Sequence, residues 1–183
     1  MYSTELKVQS IPVRELLEKY CFPEKYIDAC RSCPEYGRVW SCPPEIPIAE
    51  DYLKGCKTAY IIGVKVIYDK EEKSLALASP QELEKVRSAT YGKVKKEMLD
   101  TLLKMEQFFP SPRILAAGRC EQCDSCTRTE GLPCRKPERV RYSFSAFGFD
   151  LAAIANELLG MELLWAQKGL PEYNLAMAAL FSG

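Results

Sequence analysis

Four cysteines in one short stretch constrain this chain more than any other feature of its sequence. Cys120, Cys123 and Cys126 are spaced three residues apart, and Cys134 follows a turn at Gly131-Leu132-Pro133. Packing gives no reason to place four small, reactive side chains in a loop, whereas thiolates at this spacing can surround one side of a metal centre. The pattern therefore predicts a metal-binding loop.

A second, looser group of cysteines lies upstream. Cys30, Cys33 and Cys42 are followed directly by Pro43-Pro44. The chain holds nine cysteines, an odd number that excludes complete pairing within one chain, and its polar, mixed start does not resemble an export signal. We therefore expect a cytoplasmic protein with free or metal-bound thiols rather than a disulfide framework.

The absence of histidine narrows the chemistry of the predicted sites. The commonest metal ligand and the commonest general base are both missing, so thiolates must supply most of the ligands. Sites made only of thiolates hold zinc or iron–sulfur clusters. The downstream spacing is similar to that of bacterial ferredoxins and favours a 4Fe–4S cluster, whereas zinc, the alternative, prefers two separated pairs.

Three interpretations of the upstream group stay open. Three thiolates on a cluster leave one iron open to water or substrate, which makes that iron a Lewis acid. Alternatively Cys21 or Cys56, which lie in apolar surroundings, completes the shell as a closed carrier or structural zinc site. In the third, Cys134 completes the upstream site, as happens in two-cluster ferredoxins. The sequence thus predicts one or two clusters.

Basic residues are concentrated around the downstream cysteines. They are Arg119, Arg128, Arg135, Lys136, Arg139 and Arg141, against the acidic residues Glu121, Asp124, Glu130 and Glu138. If the basic residues face an anionic cluster, they raise its reduction potential or dock an anionic partner or substrate. The alternative is an ordinary solvated surface.

Apolar patterns and helix signals predict a sheet flanked by helices. Strands are predicted over residues 5–13, 59–68, 113–117, 163–166 and 173–180. Helices are predicted over residues 12–20, 23–30, one or two turns within 48–54, 80 to about 108 after Ser79, one turn at 137–141, and 151–159 between Asp150 and Gly160. A charged turn is predicted over residues 69–73.

This alternation of strands and helices indicates an α/β or α+β fold with a mixed sheet, flanking helices and cysteine-rich metal-binding loops. We expect a single domain over residues 1–183, with ligand loops at about 30–47 and 118–142.

Charge and hydropathy exclude several classes of partner. Lys and Arg total 25 and Asp and Glu total 25, so the net charge gives no support for binding nucleic acid or a membrane surface. The longest apolar run, residues 59–67, is too short to span a bilayer. The sequence contains neither Gly-x-Gly-x-x-Gly nor Gly-x-x-x-x-Gly-Lys, which leaves a nucleotide cofactor without support.

Four sequence blocks carry a resemblance to a known family. They are CRSCPEYGRVWSCPP from Cys30 to Pro44, AGRCEQCDSC from Ala117 to Cys126, PCRKPERVRYS from Pro133 to Ser143, and GFDL from Gly148 to Leu151. In order and distance they resemble the cysteine-rich family of predicted metal-binding proteins, a domain of unknown function common in anaerobic bacteria and archaea. The resemblance implies the metal ligands Cys30, Cys33, Cys42, Cys120, Cys123, Cys126 and Cys134. It leaves Cys21 and Cys56 outside the set.

One position departs from the family pattern. A glutamate precedes the alanine before the last block in the family, whereas Ser145 precedes Ala146 here. A role of that glutamate as ligand or acid therefore does not carry over to this chain.

Three functions are compatible with these sites. The first is an iron–sulfur protein that exchanges electrons with a redox partner protein, and the second is an enzyme that binds substrate at an open iron. The third is a zinc-stabilised interaction module. Without histidine, proton transfer would fall to residues such as Glu35, Tyr36 or Glu45, and none of them is assigned as catalytic. The sequence also assigns no oligomeric state.

Overall fold

The computed structural model describes residues 1–165 and 169–183, and the strands in these residues form one mixed sheet. The strands are β1 (Ser3–Pro12), β2 (Thr58–Ile67), β3 (Arg113–Ala116), β4 (Tyr142–Ser143) and β5 (Tyr173–Ser182). Their order in the sheet is β1-β2-β5-β3-β4, and all neighbours are antiparallel except β3 and β4. The predicted mixed sheet with flanking helices is confirmed as an α+β fold.

Helices cover both faces of this sheet. They are α1 (Val13–Tyr20), α2 (Pro23–Arg31), α3 (Ala49–Tyr52), α4 (Lys70–Ala76), α5 (Pro80–Arg87), α6 (Lys93–Met105) and α7 (Leu151–Leu159). On one face, Leu16 of α1 and Ile154 of α7 are completely buried in the larger apolar cluster. On the other face, α6 buries Leu99 and Leu102 against β3 and β5.

The long helix predicted from residue 80 to about 108 is present, but a π-helical turn divides it. Ser79 accepts a hydrogen bond from the backbone N–H of Glu82 and caps α5. The π turn at Ser88–Gly92 then joins α5 to α6, and a 3-10 turn at Glu106–Phe108 ends the segment. A π turn widens the helix locally and shifts which side chains share a face.

Three local predictions were wrong. Residues 69–73 are not a turn: Asp69 caps α4 through a reciprocal capping box with Glu72. Residues 163–165 do not form a strand, and Ala166 lies outside the described residues. The turn predicted at 137–141 is a hydrogen-bonded turn that starts at Lys136, and the short strand β4 after it was missed.

The other helices and strands confirm their predictions to within a few residues at each end. Asp150 caps α7 by accepting from the backbone N–H of Ala153, and Gly160 ends the helix with a left-handed backbone. None of the helices in the described part of the chain has both the length and the apolar character needed to traverse a membrane.

Candidate metal centre

The downstream cysteine loop starts where β3 leaves the core. Ala116 and Ala117 are buried, and Gly118 then turns the chain with φ at +77°, a left-handed backbone that favours glycine. A 3-10 turn at Thr127–Glu130 follows Cys126. The Thr127 hydroxyl donates to the carbonyl of Pro133 at 2.8 Å, which folds the loop back on itself next to Cys134.

All four downstream cysteines line one cavity of about 870 Å³. Burial raises the pKa of the Cys120 thiol, and repulsion from Cys134, Cys123 and Cys126 adds to it, while the backbone N–H of Gln122 opposes both. The spacing in the sequence thus corresponds to a real grouping, because the other three sulfur atoms are close enough to Cys120 to raise the pKa of its thiol.

Backbone N–H groups point at two of these sulfur atoms. The N–H of Lys136 donates to the Cys134 sulfur at 3.4 Å, and the N–H of Gln122 favours the thiolate of Cys120. Such donors stabilise negative charge on a ligating sulfur and tune the metal that it binds.

The upstream cysteines form a separate group at the C-terminal end of α2. Consecutive turns join Cys30, Cys33 and Tyr36, since each backbone N–H donates to the carbonyl three residues before it. The pKa of Cys42 is raised to about 11, mainly by burial and in smaller part by Cys33 and Cys30, while the Ser41 hydroxyl opposes the increase. Burial and the neighbouring Cys33 also raise the pKa of Cys30.

The two remaining cysteines lie apart from both groups. Cys21 packs against the core, contacts the carbonyl of Phe147 at 3.4 Å, and has a pKa that burial raises to about 11. Cys21 precedes α2, whereas Cys30 lies near the C-terminal end of that helix, and the part of α2 from Pro23 to Cys30 alone rises about 10 Å. Cys56 also packs against the core. Cys134, the third candidate to complete the upstream group, lies with the downstream thiols.

Two residues fasten the upstream loop to the downstream loop. Ser41 was not singled out from the sequence, and Arg128 was named there only as one of the basic residues around the downstream cysteines. Ser41 is completely buried, and its hydroxyl accepts from the backbone N–H of Cys120 at 2.8 Å. The Arg128 side chain is 7% exposed and donates to the carbonyls of Val39, Cys42 and Pro44 at 2.9, 2.8 and 2.5 Å. One guanidinium therefore donates to three carbonyls of the upstream turns, and the carbonyl of Val39 also accepts from the backbone N–H of Cys42.

Trp40 closes the same junction from the upstream side. Its ring lies under the Arg128 guanidinium, with 4.9 Å from the guanidinium carbon to the ring centroid, and its indole N–H donates to the carbonyl of Leu132 at 3.2 Å. The two loops thus hold each other in place on both sides of the junction.

A chain of four charges links both loops to the long helix. Arg119 donates to Glu35 at 2.9 Å and lies 3.6 Å from Glu121, which in turn lies 2.8 Å from Lys95 of α6. In this chain of alternating sign, Glu35 and Glu121 fix the loops, so both carboxylates are already paired.

The other basic residues of the loop are also engaged with the protein. Arg139 pairs with Asp100 at 2.6 Å, and Arg141 makes a two-pronged contact with Glu106 at 2.7 and 2.6 Å. Arg135 and Lys136 donate to carbonyls within the loop. Most of these side chains therefore anchor the loop. This role differs from the two that the sequence suggested, which were a shell of basic residues facing the cluster and an ordinary solvated surface.

A single zinc ion and a four-iron cluster need different arrangements of the sulfur atoms. Among the residues that the structure describes, no group of three or more cysteine, aspartate or glutamate side chains is arranged to hold a metal ion. A tetrahedral zinc site with Zn–S bonds of about 2.3 Å needs its sulfurs about 3.8 Å apart. A four-iron cluster instead takes one thiolate at each iron corner, so its sulfur ligands lie further apart.

Fold and site together describe an α+β protein with two groups of cysteines held on interlocked loops. The chain matches, over residues 15–181, the family described as "Predicted metal-binding protein (DUF2284)". The chain belongs to this family, as the sequence blocks predicted, and metal binding is the property that the family description assigns. No curated protein and no solved structure matches the chain.

Proposed function

We propose that this protein is an iron–sulfur protein in which Cys120, Cys123, Cys126 and Cys134 bind a 4Fe–4S cluster, and that it exchanges electrons with a redox partner protein. The observation that carries the proposal is the cavity that all four thiols line. In such a centre the cluster supplies one-electron chemistry, and the protein supplies the ligands, their orientation and the surrounding charge.

The protein's own residues support a cluster that is held firmly and poised electrostatically. The N–H donors at Cys120 and Cys134 stabilise thiolate charge, which favours the more negative, reduced state and so raises the reduction potential. Ser41 and Arg128 fix the loop on which the ligands lie. Rigid ligands suit electron transfer, because little reorganisation then accompanies a change of charge.

The upstream group supports a second candidate function, that of an enzyme with an open iron. Cys33 lies close enough to raise the pKa of both Cys30 and Cys42, while Cys21 and Cys56 remain in contact with the core. A cluster held by these three thiolates has one iron without a protein thiolate, and that iron can bind a substrate as a Lewis acid.

Purification without oxygen tests both proposals. An iron–sulfur protein is brown, absorbs broadly near about 400 nm, and contains iron matched by acid-labile sulfide. A colourless protein with stoichiometric zinc would instead support the interaction module. For the upstream site, small anionic ligands added to the holoprotein should perturb the spin signal of one cluster. An unperturbed signal in every redox state would remove the open-iron proposal.

A further inference from the structure

The cavity beside the downstream cysteines continues far along the long helix. Its wall runs from Glu84 and Arg87 through the π turn to Lys95 and Lys96. At a rise of 1.5 Å per residue this wall is about 18 Å long. The volume of about 870 Å³ lies within the range of small-molecule sites, about 300–1,000 Å³.

The charge of this cavity is positive after its internal ion pairs are counted. Seven basic and four acidic side chains line it. Glu35 and Glu121 are occupied by Arg119 and Lys95. Arg38 and Lys96, by contrast, have no carboxylate within 4.0 Å among the residues that the structure describes, and Arg87 approaches Glu84 only to 3.8 Å.

Of these unengaged cations, Arg87 lies away from the cysteines. Lys95 marks the cysteine end of the cavity, because it pairs with Glu121 next to Cys120. Arg87 precedes Lys95 by eight residues, which places it about 12 Å further along the helix. A cluster bound to the downstream thiols therefore lies at one end, and Arg87 faces the space at the other.

The walls also offer apolar and aromatic surface to the body of an organic ligand. Val39 and Trp40 line the upstream side, and Tyr91 lines the helix side. The Tyr91 hydroxyl contacts the carbonyl of Leu175 at 3.4 Å, so its ring is held in the wall. Three residues of the π turn line the cavity, and π turns inserted in helices are frequent at functional sites.

We propose that this cavity binds a small organic anion that carries a carboxylate or phosphate group. The oxyanion pairs with Arg38 and Arg87, and the organic part lies against Trp40 and Tyr91. Guanidinium groups suit this task, because their planar donors match both carboxylate and phosphate oxygens. This inference deepens the proposed function. It rests on that function only in treating the anion as a substrate beside the cluster.

Titration of the holoprotein with four probes tests the site. Inorganic phosphate, phenyl phosphate, acetate and benzoate are compared by calorimetry, with phosphorus NMR for the first two. We expect saturable binding, with the aromatic member of each pair about tenfold tighter because it buries its ring. Comparison of the two pairs shows whether carboxylate or phosphate is preferred.

Variants with matched controls identify the residues. Arg38→Gln and Arg87→Gln should each weaken phenyl phosphate about tenfold, the loss of one charge-assisted contact. The control Arg14→Gln removes an exposed arginine of α1, and Lys104→Gln removes an exposed lysine of α6 that does not line the cavity. Both controls should bind like the parent protein.

The outcomes separate this inference from the proposed function. Absence of saturable binding by every probe at millimolar concentration, or equal affinity in Arg38→Gln, Arg87→Gln and the controls, would overturn the anion site. So would a loss of iron in the two arginine variants without a loss of phenyl phosphate affinity, which would assign these residues to the cluster. A protein without iron that still binds the probes through Arg38 and Arg87 would overturn the iron–sulfur proposal and support the anion site.

Discussion

Arg128 connects the two cysteine loops, so its removal tests whether they form one unit. Its guanidinium donates to the carbonyls of Val39 and Cys42 at 2.9 and 2.8 Å, and also reaches the exposed Pro44 and Glu45. Water can replace the arginine at the exposed partners. Two buried charge-assisted bonds at about 1.5 kcal/mol each then give a loss of about 3 kcal/mol in Arg128→Ala.

That loss is large against the free energy of unfolding of an ordinary domain, about 5–15 kcal/mol. Arg128→Lys should lose about half as much, because an ammonium keeps the charge but cannot span three carbonyls with a planar fork. The matched control is Arg135→Ala in the same loop. Its side chain is 50% exposed and makes one loop hydrogen bond at 3.2 Å, so we expect a change within about 0.5 kcal/mol.

Urea denaturation of the protein, before and after metal removal, measures these differences. The loss in Arg128→Ala should be present in both forms, because the contacts that are lost join protein to protein. If Arg128→Ala and Arg135→Ala unfold at the same urea concentration in both forms, the loops are not fastened by Arg128 and the reasoning is refuted.

Three further outcomes are expected. Cys123→Ser should lose iron and sulfide, whereas Cys56→Ser, whose thiol packs against the core, should keep both; metal loss in both variants would contradict the ligand set. Gly148→Ala and Gly131→Ala both place alanine in a left-handed backbone, at φ +78° and +70°, which costs about 1–2 kcal/mol in urea denaturation. Gly148→Ala should cost about 2 kcal/mol more than Gly131→Ala, because its new Cβ would lie 2.7 Å from the backbone nitrogen of Pro23 in α2. The new Cβ of Gly131→Ala would meet nothing within 4 Å, and equal losses in the two variants would refute the contact. Burial raises the pKa of Tyr91 from 10.0 to about 12, so between these pH values only the unfolded chain releases the proton and stability falls as pH rises. The parent protein should therefore lose about 1.4 kcal/mol per pH unit more than Tyr91→Phe over this range, and parallel stability curves would show that the hydroxyl is not buried.

Local signals predicted the elements whose structure depends on nearby residues. The capping residues Ser79 and Asp150 correctly predicted where α5 and α7 begin. The helix α4 was missed although Asp69 and Glu72 have the capping-box spacing, because its charged sequence resembles a turn. The prediction missed a strand that depends on distant pairing. Tyr142 and Ser143 form β4 only because they lie beside β3, and no local sequence pattern reveals that pairing.

The candidate site also has a part that was predictable from local sequence and a part that was not. The spacing of the cysteines predicted which thiols belong together, since ligands three residues apart are neighbours in any compact loop. The residues that join the two loops were not predictable. Ser41 contacts Cys120 across 79 residues of sequence, and Arg128 contacts Val39 across 89, and nothing in the sequence near a serine or an arginine specifies so distant a partner.

The central claim is that four thiolates of one loop hold one four-iron cluster. Crystals grown without oxygen and measured on both sides of the iron absorption edge test it directly. We expect an iron signal in the cavity, from iron atoms bonded to the sulfurs of Cys120, Cys123, Cys126 and Cys134. A signal from zinc alone, disulfide bonds among these cysteines, or iron bound elsewhere would contradict it.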